Sequence, residues 1–467
     1  MSSTALRENR EPNIASRSLI YGTAVNLVGY LIIPIAAFAA GPILAQSLGV
    51  EGRGEVAAAT APLLLVVAAA SFGLPEALTF FVARNSEIVS SAIRHALVLT
   101  IVPIVVSTIG VLLLRNWLSG GQGDLSTIIA WGATAIGPAL ATNVFRAVAA
   151  AYSRWKLITA ERSFVAVGRL SALTLLWWTG NLTVMSASIA IAASVGLAFL
   201  VYIPFVVKVG RRRAESPPSS RSPNERWFYA GHRSLLAYGS SVWLGSVAGI
   251  LLSRLDQTLM TPLSGAYELG LYAVAASVSE LPLIVNSSLR DVLYTRFSST
   301  SDKGADLAAR MSSASTVLVA LLSIVVAAAT PVFLPILFGH SFASATTATL
   351  ILLLAVVAGN PGSIAGVALS GAGYPVLRSV SLLIALASNI VLVVLLVPPL
   401  GATGAAIATL VGNIVSGNLN ILFVKLKLQG RVMSFYKVYP NDWAKMMKLV
   451  SLEIGRVRTT WQGRHGS

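Results

Sequence analysis

Long apolar runs, interrupted by short polar or glycine-containing turns, dominate this chain from residue 19 to residue 424. A membrane-crossing helix needs about 20 mostly apolar residues. The pattern predicts twelve such spans: Leu19–Leu44, Val56–Val82, Ala96–Leu114, Thr127–Ala151, Phe164–Thr179, Met185–Val207, Leu236–Pro262, Leu269–Leu293, Thr316–Phe338, Ala345–Leu369, Val380–Val397 and Ala402–Val424. The fifth and eleventh are short. The tenth contains "GNPGSIAG", Gly359–Gly366, which predicts either a helix broken near mid-depth or a simple proline kink.

Composition agrees with lipid as the solvent. The chain has 55% hydrophobic and 11% charged residues and a mean hydropathy of +0.75. A soluble domain carries about a quarter charged residues. The net charge of +16 could indicate nucleic acid, but its distribution excludes that partner. Nearly all of the 34 Lys and Arg residues fall in the tails and on alternate loops. The opposite loops hold only Arg53 and Arg115, and Arg146, Arg169 and Arg254 fall within spans. Such a bias orients spans with the basic loops cytoplasmic. Both termini are then expected in the cytoplasm, and the polar residues 1–18 read as a retained tail, not a cleaved leader.

The Ser/Pro-rich insertion "RRRAESPPSSRSPNER", Arg211–Arg226, lies in a basic linker (211–233) between six spans (19–210) and six spans (234–426). At an offset of 216, Gly49, Gly54, Ala57 and Ala59 match Gly265, Gly270, Ala273 and Ala275. Two parallel repeats are one known transporter plan; small residues also recur wherever helices pack closely. In the basic tail (427–467), "NDWAKMMKLVSLEIGRVRTTW", Asn441–Trp461, carries one apolar stripe. It reads equally as an interfacial helix on anionic membrane lipids, a helix packed under the bundle, or a frayed tail.

An Arg or Asp at the centre of a span costs about 2.5 to 3.5 kcal/mol to insert. The candidates are Glu76, Arg146, Arg169, Arg254, Asp256 and Glu280. Glu76 and Arg146 are expected near span ends, where an interhelical ion pair suffices. Arg254 and Asp256 are two residues apart and cannot face each other on one helix. With Glu280 they are expected to line a hydrated cavity, together with Asn360 if the tenth helix breaks there.

Catalytic signatures are missing. There is no cysteine, no GxxxxGK[ST], no HExxH and no DxD, and His95, His232, His340 and His465 are isolated. No cofactor or metal is expected. The longest outer loop, about a dozen residues by the span boundaries above, is short for a glycan polymerase or ligase, so an enzyme is the weaker reading.

Four stretches resemble one family. "SLGVEGRGEVAAA" opens the first hairpin, which closes on Gly73-Leu74-x-x-Ala77. "RLDQTLMTPLSGAYELGLYAVAASVSEL" has an Asp-bearing seventh span followed by Gly-Leu-Tyr-Ala-Val-Ala. "FGHSFASA", Phe338–Ala345, and "PPLGATGAA", Pro398–Ala406, complete the set in order. The chain is thereby similar to polysaccharide repeat-unit (O-antigen) flippases of the multidrug/oligosaccharidyl-lipid/polysaccharide exporter superfamily. The resemblance implies an all-α integral membrane protein of about 12 transmembrane helices, in two six-helix lobes around a central cavity. It implies a bacterial cytoplasmic membrane and an undecaprenyl-pyrophosphate-linked oligosaccharide as cargo. A proton or sodium gradient would drive transport, beside polysaccharide polymerase and glycosyltransferases as partners. On that basis Arg254 and Arg169 are expected to meet the pyrophosphate, with Arg146 a weaker third. Glu280 and Asp256 are the leading candidates for ion coupling, with Glu76 behind them. A multidrug exporter of the same superfamily and a non-transporting scaffold for glycan assembly are the alternatives.

Overall fold

In lipid, only structures that satisfy their own backbone can cross, and this chain is helical accordingly. The computed structural model describes residues 12–84, 89–214, 232–283 and 305–437. Among these residues no strand occurs, and the helices make twelve passes in two lobes of six. The stripe at Asn441–Trp461, most of the linker and the end of the eighth pass lie outside the described residues.

Three long helices are each two passes joined at a glycine. Pro12–Ala69 turns at Gly49, His232–Ser279 at Gly265 and Pro375–Leu428 at Gly401. Gly49 (φ 70°, ψ −172°) and Gly265 (φ 87°, ψ 171°) share one conformation that side chains with a Cβ rarely adopt. They are also the pair related by the offset of 216. The next pair is reciprocal. A Cβ on Gly54 would lie 1.7 Å from the carbonyl oxygen of Ala266, and one on Gly270 would lie 2.0 Å from that of Val50. Ala266 and Val50 are themselves equivalents at the same offset. The two hairpins therefore cross about a pseudo-twofold axis, backbone against backbone, and this crossing joins the lobes at the face that carries the glycine turns.

Near the opposite face the lobes touch again. The Trp243 indole stacks on Phe72 with ring centroids 4.9 Å apart, and its Nε1 donates to the Ala69 carbonyl at 2.7 Å. The seam between lobes is thus closed at both ends.

The second span departs from the sequence expectation. It is interrupted at residues 70–73, where Phe72 and Gly73 have positive φ, and Leu74–Arg84 restarts as a separate helix. The fourth pass also breaks, between Gly123–Ala133 and Ile136–Ala151. The sixth contains a 3-10 turn, Leu197–Tyr202. The fifth and eleventh passes are full length, because their helices begin at Trp155 and Pro375, within polar sequence that hydropathy alone discounts.

The tenth pass corrects the expectation of a broken helix: Thr346–Gly371 is continuous through Pro361. Its glycines serve packing instead. A Cβ on Gly362 would fall 1.9 Å from the Gly417 Cα on the twelfth pass, and Gly359 abuts Asn413. Asn420 Nδ2 donates to the Gly362 carbonyl at 3.1 Å, which ties the two helices together.

Candidate functional site

Folding the seventh and eighth passes back at Gly265 brings Asp256 and Tyr272 opposite each other. Asp256 is buried. It accepts hydrogen bonds from the Tyr272 hydroxyl, from Thr409 Oγ1 at 3.2 Å on the twelfth pass, and from the Gln257 backbone at 2.7 Å. A buried carboxylate is tolerable only when its lone pairs are satisfied in this way. These residues line a C-lobe cavity of about 310 Å³ with Glu280, Asn360 and Asn413. A second cavity of about 220 Å³ shares Gly359 and Asn413 with it and continues to Arg378 and Asn420.

Glu280 of the cavity wall belongs to a pair of a different kind. Arg254 Nη2 and Glu280 Oε1 lie 3.2 Å apart, with side chains 37% and 46% exposed. A solvated pair of this sort is worth about 0 to 1 kcal/mol, so either partner can be exchanged cheaply. Asn360 is buried and donates to Ser315 Oγ at 3.0 Å and Thr316 Oγ1 at 2.9 Å on the ninth pass. Asp256, Glu280, Arg254 and Asn360 therefore gather in one lobe.

The other candidates sit in the N-lobe. Arg146 is held by Glu161 through two hydrogen bonds, Nε to Oε2 at 3.0 Å and Nη2 to Oε1 at 2.9 Å. Asn143 and, through Glu161, Tyr202 complete this network. Glu161 is only 2% exposed. Glu76 stands exposed in the first turn of Leu74–Arg84, where the helix dipole favours an anion. Arg169 lies inside the fifth pass, with Nε and Nη2 buried and unpartnered.

The Arg146 network has a measurable consequence. Removing one member of a buried pair strands the other and costs on the order of 3 kcal/mol. Arg146→Ala is expected to lower the melting temperature of the purified protein sharply. An unchanged melting temperature would show that Glu161 needs no counter-charge.

Three residues escaped the sequence reading. Tyr272 and Thr409 complete the Asp256 site, and Glu161 partners Arg146. Glu268 accepts a hydrogen bond from the Ala402 backbone at 2.8 Å, capping the start of the twelfth pass. For Tyr272 a signal existed: it lies about as far after Gly265 as Asp256 lies before it.

Comparison with known proteins follows this geometry. A family model described as "Polysaccharide biosynthesis protein" matches residues 19–301. An uncharacterized membrane protein of Methanocaldococcus jannaschii is 27% identical over 208 residues, 43% of this chain and 41% of the relative. The match thus spans about two-fifths of that curated relative. Among solved structures, the lipid II flippase MurJ in an inward closed conformation has a TM-score of 0.70 at 11% identity, covering 93% of this chain and 92% of that one. A multidrug resistance MATE family transporter of the MOP superfamily, inward-facing, has 0.64 at 15% identity, covering 86% and 98%. A Vibrio cholerae MATE transporter has 0.59 at 16% identity, covering 90% and 98%. At these identities the likeness is one of fold: twelve helices in two lobes.

Proposed function

The chain belongs to the polysaccharide biosynthesis protein family, and from that membership we propose that it is a flippase for an undecaprenyl-pyrophosphate-linked oligosaccharide. It acts by alternating access in the bacterial cytoplasmic membrane, with both termini cytoplasmic, and carries out no covalent chemistry. Glycosyltransferases supply the cargo and a polysaccharide polymerase consumes it.

The observation that carries this reading is the placement of arginines inside the bundle. Arg254 stands in an exchangeable pair with Glu280, a residue of the cavity wall, and Arg169 has nitrogens with no partner. An unpaired phosphate anion is prohibitively costly in a low-dielectric interior. Guanidinium groups offset that cost with a planar donor set matched to phosphate oxygens. Arrival of the pyrophosphate at Arg254 frees Glu280, and the buried Asp256 beside it is the group that exchanges a coupling proton or sodium ion.

An Asp256→Asn variant imitates the uncharged carboxyl and is expected to equilibrate cargo between leaflets while losing its response to an imposed gradient. Gradient-driven accumulation at the wild-type level would remove Asp256 from the coupling step.

The cargo is tested by competition. Purified protein in nanodiscs of zwitterionic lipid is offered a polyprenyl-diphosphate oligosaccharide and ethidium in equal amounts. Native mass spectrometry is expected to find the lipid-linked sugar retained. Retention of the dye alone would overturn the proposal in favour of drug export.

A further inference from the structure

A helix that breaks inside a membrane must find new partners for its backbone. A continuous second pass would give the Ala69 carbonyl to the Gly73 amide. The interruption at residues 70–73 withdraws that donor, because Phe72 (φ 45°) and Gly73 (φ 66°) both turn out of the helical range. The Trp243 indole donates in its place, from the other lobe. Its ring lies flat on Phe72, at an interplanar angle of 11°. Gly73 and Gly239 let the two backbones meet there, for a Cβ on Gly239 would lie 2.7 Å from the Phe72 carbonyl oxygen. A positive φ is costly for a bulky residue such as phenylalanine, and such strain collects where it serves a function. Here it opens a docking point on one lobe that a single side chain of the other lobe fills.

The two sides of this contact belong to different lobes. Beyond the break, Leu74–Arg84 is tied to the fourth pass by Thr79 Oγ1, which donates to the Ala147 carbonyl at 3.2 Å. Trp243 lies on His232–Ser279, the helix that opens the C-lobe. About two turns before it, Leu235 is buried in an apolar cluster with Leu74, Ala77 and Leu78 of the N-lobe. Phe72 is already 40% exposed, so parting the lobes here wets little new ring surface. We propose that residues 69–73 and Trp243 form a latch. It closes the seam on the face opposite the glycine turns, and its release opens the space between the lobes to that face. The latch itself does not depend on the cargo. That it admits a lipid-linked sugar from the cytoplasm rests on the flippase reading.

The test uses the full chain in detergent, with one cysteine introduced as a reporter, since the protein has none of its own. Leu235→Cys reports the latch side and Ala273→Cys the glycine-turn side. Both positions are buried and are expected to react slowly with a maleimide in the parent protein. Trp243→Ala removes the hydrogen bond and the ring stack together. It is expected to speed labelling at residue 235 at least about tenfold, the effect of losing one hydrogen bond and one aromatic pair. Trp243→Phe keeps a ring but no donor and is expected to give a smaller rise. Residue 273 should stay protected in both variants, which a general loosening of the protein would not allow. Parent-like labelling at residue 235 in both variants would overturn the proposal, and so would an equal rise at both reporters. If the variants open residue 235 as expected but the wild-type protein moves no lipid-linked sugar across liposomes, the latch stands and the flippase reading falls. If wild type moves the sugar and the variants label like the parent, the latch alone falls.

Discussion

A Gly54→Val protein inserts and keeps the core of each lobe, but its transport falls by on the order of a hundredfold, a barrier change of about 3 kcal/mol. The cause is the hairpin crossing. A Cβ at this position would lie 1.7 Å from the Ala266 carbonyl oxygen and 2.9 Å from the Gly270 nitrogen. Both are backbone atoms and cannot rotate aside, so the lobes must part at the glycine-turn face. Gly270→Val should reproduce the defect, since its Cβ meets the Val50 carbonyl in the reciprocal way. Gly110→Val is the control, because a Cβ there meets nothing within 4 Å. The chain has no cysteine, so a single Ala273→Cys reports the state of the seam. Ala273 is buried and should resist maleimide in the parent protein and react in Gly54→Val. Continued protection with normal transport would show that the crossing tolerates separation.

Arg254→Ala should abolish transport without destabilising the protein. Its pair with Glu280 is partly exposed, so its loss costs about 0 to 1 kcal/mol of stability. Its hydrogen bonds to a desolvated phosphate would be worth about 1.5 to 3 kcal/mol each, so losing two reduces transport by roughly a hundredfold or more. Arg254→Lys keeps the charge but not the planar fork and should recover only part of the rate. The contrast with Arg146→Ala separates the two roles. One variant stays folded and does not transport; the other loses stability first. Wild-type transport by a folded Arg254→Ala protein would remove this arginine from the cargo path.

The twelve passes were legible because a run of about 20 apolar residues has few other fates. The hairpin repeat was legible at Gly49 and Gly265, since a turn with positive φ selects glycine in both copies. Helix ends were not: Trp155 and Pro375 start helices inside polar sequence, and hydropathy stops short of them. Gly-Asn-Pro-Gly left a break and a kink both open, because the sequence does not show Gly417 waiting opposite Gly362. The charged groups were visible one by one, but their pairings were not. Glu161 on the fifth pass reaches Arg146 on the fourth. Such contacts depend on helix rotation and tilt, which packing sets and span-level hydropathy does not record.

Movement of a lipid-linked sugar between leaflets is read by a sidedness assay. Purified protein is placed in liposomes holding a fluorescent polyprenyl-diphosphate oligosaccharide, and an impermeant quencher is added outside, with and without an imposed proton or sodium gradient. A flippase predicts that the protected half of the label becomes quenchable in a protein-dependent way, faster under one of the gradients, and that Arg254→Ala suppresses this movement. A protected fraction that stays constant under every gradient, with folded protein and several oligosaccharide lengths, would show that the protein does not flip this cargo.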